Sequence, residues 1–214
     1  MRVALIGGTG LIGASLARRL AALGHDLHRL QRRPSVGPGA LHVAEADAWP
    51  DIVAALAPEA AISTLGTTMR EAGSRQAFRA VDRDMVLAFA GAARTAGARR
   101  IAAVSSVGAD PGSRIFYLRV KGETEQGLRA LGAPRLDIFR PGLLLGARSG
   151  DRRPAEKLAV ALSPIASRLL RGRLDRFAAI DADRVVEALA ATLALPEDGT
   201  HLHHNRELRA LAGR

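Results

Sequence analysis

The chain has 214 residues, 48% hydrophobic and 24% charged, with no cysteine; this suits one well-buried domain and excludes a disordered chain, a disulfide scaffold and a thiolate metal site. Lys and Arg number 31 against 21 Asp and Glu, a formal charge of +10, which invites an anionic partner. Yet Lys121 and Lys157 are the only lysines, the arginines are scattered, and no basic run is interleaved with aromatics, so nucleic acid is disfavoured.

In chain order, residues 2–6 are a short apolar run ending at Gly7-Gly8, which reads as a buried strand and is too short for a signal-peptide core. Apolar residues at helical spacing follow over 11–23, closed by Gly24. Residues 26–30 and 41–44 read as strands, 50–56 as a short helix opened by Pro50, and 60–65 as a fourth strand. A long helix is predicted over 74–95, then a strand over 100–105, a helix over 115–131 and a strand over 135–140. Past Gly146 the alternation weakens; 154–162 and 182–195 look helical, the second with Asp181 as its cap. Strands alternating with helices predict an α/β fold with a doubly wound parallel sheet of the Rossmann type. The expectation is a single domain over 1–214, with its core at about 1–145 and a small substrate-side cap over about 146–214. No stretch is apolar for long enough to span a bilayer, and a cytoplasmic location is expected.

Gly7-Gly8-Thr9-Gly10-Leu11-Ile12-Gly13 joins the first strand to the first helix. Glycines at 7, 10 and 13 allow a tight turn, close approach of backbone to a pyrophosphate and close packing of helix on sheet, while the helix N-terminus offers free N–H groups. The position after the second strand, where NAD sites usually carry an acid for the ribose hydroxyls, reads Gln31-Arg32-Arg33. A guanidinium cannot accept hydroxyl protons but forks onto a 2′-phosphate, so NADP is expected in preference to NAD.

Tyr117 and Lys121 lie four apart in a predicted helix and share a face. A free phenol ionises near ~10, and a neighbouring ammonium favours the phenolate, bringing proton exchange with a carbinol closer to neutrality. Ser105-Ser106 ends the fifth strand, at the edge where open α/β sheets hold ligands.

With the glycine loop and the tyrosine–lysine pair, these serines make the chain resemble the short-chain dehydrogenase/reductase superfamily. The finer pattern is similar to its atypical, Tat-interacting-protein-like branch: Leu65-Gly66-Thr67-Thr68, Val81-Asp82-Arg83-Asp84, Ser105-Ser106-Val107-Gly108-Ala109-Asp110 and Arg140-Pro141-Gly142-Leu143-Leu144. The resemblance runs from the first strand to about Arg153. It implies Tyr117 as acid/base, Lys121 as its partner and as a ligand of the nicotinamide ribose, and Ser106 as hydrogen-bond donor to a substrate carbonyl. It also implies that Leu65-Gly66 lies along the cofactor, Asp47 near the adenine, and Pro141-Gly142 beside the nicotinamide. The chain departs from many superfamily members at Thr64-Leu65-Gly66-Thr67, where they carry an asparagine-rich turn, and shows no counterpart of their tetrad asparagine.

His201, His203 and His204 have no acidic or cysteine neighbour in sequence and read as a solvated edge strand rather than a metal site. Glu123 and Glu125 flank Thr124 on a helix and diverge. The leading reading is an NADP-dependent oxidoreductase acting on a small carbonyl or alcohol. Alternatives are an NADP(H)-binding sensor without turnover and an epimerase-like enzyme acting on a sugar nucleotide. A small-molecule substrate is expected and no metal; self-association is left open.

Overall fold

The computed structural model describes residues 1–146 and 172–213. The chain begins β1 (Arg2–Ile6), α1 (Leu11–Ala22), β2 (Asp26–Gln31), β3 (Ala40–Val43), α2 (Trp49–Leu56) and β4 (Ala60–Ser63). It continues through α3 (Met69–Ala72), α4 (Arg75–Arg79), a π-helical stretch Ala80–Met85, α5 (Val86–Thr95), β5 (Arg100–Val104), α6 (Phe116–Ala130) and β6 (Arg135–Phe139). Then come β7 (Leu144–Leu145), a 3₁₀ stretch Gly172–Phe177, β8 (Ile180–Asp181), α7 (Ala182–Thr192), β9 (Gly199–His203) and α8 (Asn205–Ala212).

Seven strands form one sheet in the order β3-β2-β1-β4-β5-β6-β9, every neighbouring pair parallel. The chain reverses direction across the sheet beside β1, so β1 and β4 flank the switch point at which such sheets open a ligand crevice. One face buries Val3, Leu5, Ile62 and Phe139 under Leu16 and Leu20 of α1, Val185 and Leu189 of α7 and Leu208 of α8. The other buries Ile6, Leu30 and Ala61 against Trp49, Val53 and Phe89, and Ile101, Leu136 and Ile138 against Val86, Ala90 and Leu128. Burial on both faces is why β1, β4 and β5 read as unbroken apolar runs rather than alternating ones.

The Rossmann sheet is as expected, and two local features differ. The long helix predicted over 74–95 is interrupted: Ser74 caps α4 through the Ala77 N–H, and the widened turn at Ala80–Met85 presents the Asp82 carbonyl to the Thr124 hydroxyl at 3.0 Å. The C-terminal stretch expected as a small cap returns to the sheet: β9 pairs with β6, while α7 and α8 cover one face. Its strand is short and rich in histidine, so it lacks the apolar signal of the central strands. The helix predicted over 154–162 lies outside the described residues. Among the described residues no helix is long and apolar enough to cross a membrane.

Candidate active site

Gly7 has φ 81°, and a β-carbon there would stand 2.5 Å from the Leu65 nitrogen. One on Gly13 would stand 2.1 Å from the Gly7 oxygen, so both glycines are needed for α1 and the 64–65 backbone to close around the turn. Gly10 is different. Its nearest neighbour would be the Gly7 oxygen at 3.4 Å, an ordinary contact, and Thr9 and Gly10 are exposed. Gly10 is the N-cap of α1 without a side-chain cap, and the first turn, which includes Leu11 and the buried Ile12, carries no acid. An open backbone shelf with free N–H groups at the start of a 12-residue helix suits an anionic group. These residues therefore fit a dinucleotide's pyrophosphate.

On one side of this loop, Arg32 and Arg33 follow β2, both exposed and neither with a polar partner among the described residues. Gly8 is buried against Gln31. Asp47 is exposed on the 3₁₀ turn after β3. On the other side, Leu65 is half-buried and Gly66 is exposed after β4.

A β-carbon on Gly66 would stand 3.8 Å from Nζ of Lys121 and 3.5 Å from Oδ1 of Asp82. Lys121 is buried, and Nζ lies 2.7 Å from Oδ1 of the equally buried Asp82. The other Asp82 oxygen accepts the Thr67 N–H at 2.8 Å. One carboxylate thus fixes both the lysine and the backbone beside Gly66. Asp82 was visible as part of the Val81-Asp82-Arg83-Asp84 pattern but received no role; only the fold shows that it points inward while Asp84 pairs with Arg83 outside.

Tyr117 is 37% exposed, its ring edge-on to Phe78 at 5.9 Å, and its hydroxyl has no partner among the described residues. The two serines separate in role. Ser105 donates to Oε1 of Glu125 at 2.6 Å, and Glu125 is held by Arg140 through Nε at 2.7 Å and a second nitrogen at 2.6 Å. Ser106 has only a long contact to the Val107 carbonyl at 3.3 Å, leaving its hydroxyl free to serve a ligand. Glu123 faces away, paired with Arg79 at 2.7 Å.

Pro141-Gly142 borders the same edge. The Val107 N–H donates to the Pro141 carbonyl at 3.1 Å, and the Gly142 N–H to Oδ1 of Asn205 at 3.0 Å. Asn205, fully buried at the start of α8, also donates to the carbonyls of Asp175 and Ala178. This amide ties the loop after β6 to the 3₁₀ stretch, a role sequence reading missed because its partners lie far away in the chain.

The histidine patch sits on the edge strand, but not all of it is solvated. His203 is buried, with Nε2 at 2.8 Å from Oδ1 of Asp137, which Arg135 grips at 2.7 and 2.9 Å. Burial pushes the Asp137 carboxyl up, but the hydrogen bonds from His203 and Arg135 outweigh it and hold the group below its ordinary value. The acidic partner absent from the local sequence comes from β6. Among the described residues no group of three ligating side chains could hold a metal ion.

The model of the NAD dependent epimerase/dehydratase family matches residues 3–204. Protein fmp52, mitochondrial, of Emericella nidulans is 38% identical over 169 residues, covering 73% of this chain and 72% of its own. Protein FMP52, mitochondrial, of Coccidioides immitis is 31% identical over 229 residues, covering 99% and 93%. Among solved structures, MoeE5 in complex with UDP-glucuronic acid and NAD superposes with TM-score 0.72 at 17% identity, covering 94% of this chain and 75% of its own. Human epimerase family protein SDR39U1 (isoform2) with NADPH gives 0.63 at 20%, covering 95% and 74%. At such identities the structural likeness speaks to fold alone. The relatives' names correct the expected cytoplasmic location, since they are those of mitochondrial proteins. The lack of cysteine and of a secretory core, on which that expectation rested, does not separate one reducing compartment from another.

Proposed function

The chain belongs to the NAD dependent epimerase/dehydratase family, and from that premise we propose that it is an NADP-dependent oxidoreductase acting on a small carbonyl or alcohol. The observation that carries the reading is the place of Lys121. Its ammonium stands beside Gly66 on the strand edge that also closes the glycine loop, one helical turn from Tyr117, whose hydroxyl has no partner among the described residues. A bound nicotinamide nucleotide supplies the hydride chemistry. Gly7 to Ile12 hold its pyrophosphate, Arg32 and Arg33 its 2′-phosphate, and Leu65, Gly66 and Pro141-Gly142 line its course. Lys121 holds the nicotinamide ribose. Tyr117 exchanges a proton with the substrate oxygen, and Ser106 donates a hydrogen bond to that oxygen.

Following NADPH absorbance while aldehydes, ketones and alcohols are screened tests the reading. Turnover with one of them, together with tighter binding of NADPH than of NADH, is the expected result. One observation favours a second reading, a sensor that binds NADP(H) without turnover: Asp82 at 2.7 Å offsets the Lys121 charge on which the phenol relies. NADPH binding with no oxidation or reduction in the screen would decide for the sensor. An epimerase-like reaction returns its hydride within each turnover and leaves NADPH absorbance unchanged, so it is tested separately, by resolving the sugar products after incubation with UDP-sugars; conversion there would decide against the sensor.

A further inference from the structure

The start of α6 gathers positive charge that no carboxylate among the described residues balances. Two guanidiniums approach Phe116, the residue before Tyr117. The guanidinium carbon of Arg75, from α4, lies 5.2 Å from the centre of its ring, and that of Arg119 lies 5.8 Å from it. Neither has a carboxylate within ion-pair distance among the described residues. Arg75 is exposed and has no hydrogen bond there either, while Arg119 is half-buried and donates one nitrogen to the Ser113 carbonyl at 3.0 Å. The acids nearby in the fold are already engaged: Glu123 pairs with Arg79 at 2.7 Å, Glu71 accepts the Thr68 N–H at 3.2 Å, and Asp110 accepts the Gly112 N–H at 2.8 Å. Two like charges drawn to one ring repel each other until a counter-charge joins them.

The aromatic rings tie this charge to the candidate site. Phe78 lies edge-on to Phe116 at 5.7 Å and to Tyr117 at 5.9 Å, so one buried phenyl supports both the arginine platform and the phenol. A ring takes up the flat face of a guanidinium and leaves the N–H groups, which lie in its plane, free to donate around the rim. That fork matches the paired oxygens of a carboxylate or a phosphate. The counter-charge missing from the described residues is thus of a kind a substrate can bring, at a place one ring away from the proposed proton donor.

We propose that Arg75 and Arg119 bind an anionic group, a carboxylate or a phosphate, on the substrate whose carbonyl or alcohol meets Tyr117, with Phe116 as the platform that positions them. The inference rests on the oxidoreductase reading above and narrows its substrate to a carbonyl or alcohol that carries negative charge.

Aldehydes matched except in charge test it: succinic semialdehyde against butanal, and glyceraldehyde 3-phosphate against glyceraldehyde, each followed by NADPH absorbance. The charged member of at least one pair is expected to be favoured about tenfold or more in kcat/KM, and which pair it is separates carboxylate from phosphate. Arg75→Gln and Arg119→Gln should each cut that preference about tenfold, chiefly through KM. Arg75→Lys, which keeps the charge and loses the fork, should restore part of it. Equal use of charged and neutral members in both pairs overturns the proposal, and so does a preference that survives the double variant Arg75→Gln with Arg119→Gln. If no aldehyde is reduced, the oxidoreductase reading falls, and melting curves of the NADPH-loaded protein decide the anion site by themselves. Succinate or inorganic phosphate, at constant ionic strength, should then raise the parent's melting temperature and leave that of the double variant where it was. No rise in the parent, or an equal rise in both, overturns the proposal. A parent that does not bind NADPH removes the cofactor reading and this inference together.

Discussion

Lys121 and Asp82 form a buried ion pair, Nζ to Oδ1 at 2.7 Å, that joins α6 to the π-helical stretch beneath the candidate site. Removing one member leaves the other charged and unpaired in a dry setting, which costs about 3–5 kcal/mol. Asp82→Leu is therefore expected to be strongly destabilised in urea unfolding. Asp82→Asn should lose less, because an amide oxygen can still accept the Thr67 N–H. Equal stability of Asp82→Leu and the parent would show that the pair holds nothing together.

The glycine loop separates into two kinds of position. Gly13→Ala is expected to destabilise the fold, because the added carbon would fall 2.1 Å from the Gly7 oxygen, a clash between backbone segments. Gly10→Glu should instead melt near the parent's temperature and lose NADPH binding. Its side chain occupies open space, where a carboxylate repels phosphate at the helix start. Calorimetric titration of the folded Gly10→Glu protein checks this; undiminished NADPH affinity would place the phosphates elsewhere.

Asp137 makes stability depend on acid. Its carboxyl is held below the ordinary 3.8 in the folded chain, so the unfolded chain takes up the proton first as pH falls. The stabilisation is complete above 3.8 and is lost as pH falls through that value toward the folded one. At neutral pH, Asp137→Asn should be less stable than the parent, since Arg135 loses a buried counter-charge. Urea unfolding over a pH series should show this gap narrowing below pH 3.8. A gap constant across the series would mean the carboxyl is not depressed.

What could be read from the sequence was local. The β1 turn, its glycines and α1 are contiguous, and Tyr117 and Lys121 reveal their shared face by spacing alone. The pairings of Asp82 with Lys121, Glu125 with Arg140 and Asn205 with Gly142 connect different elements, and no periodicity announces them. Ser105 and Ser106 are indistinguishable as letters; the buried Glu125 decides which hydroxyl is already engaged. The histidine stretch reads as an edge strand and is one, but Gly199–His203 lacks an apolar run, so nothing in it announces the burial that comes when His203 meets Asp137.

The tyrosine and the lysine are expected to fail in different ways. Tyr117→Phe keeps the ring against Phe78 and removes a hydroxyl that has no partner among the described residues, so fold and NADPH affinity should stay near the parent's while turnover falls about 10²–10⁴-fold. Lys121→Met removes the proposed ribose ligand and also strands Asp82, so it should lose NADPH affinity and stability together. Those two losses can be separated. In the double variant Asp82→Leu with Lys121→Met no buried charge is left unpaired, so stability should recover relative to Lys121→Met alone, while NADPH affinity stays low. Melting curves and NADPH titrations of the four proteins read both quantities. If affinity recovers along with stability, Lys121 acts only through the fold, and the role proposed for it at the ribose is wrong. If Tyr117→Phe keeps the parent's rate on a substrate the parent reduces, the proton comes from another group, and Tyr117 is a packing residue at the mouth of the site.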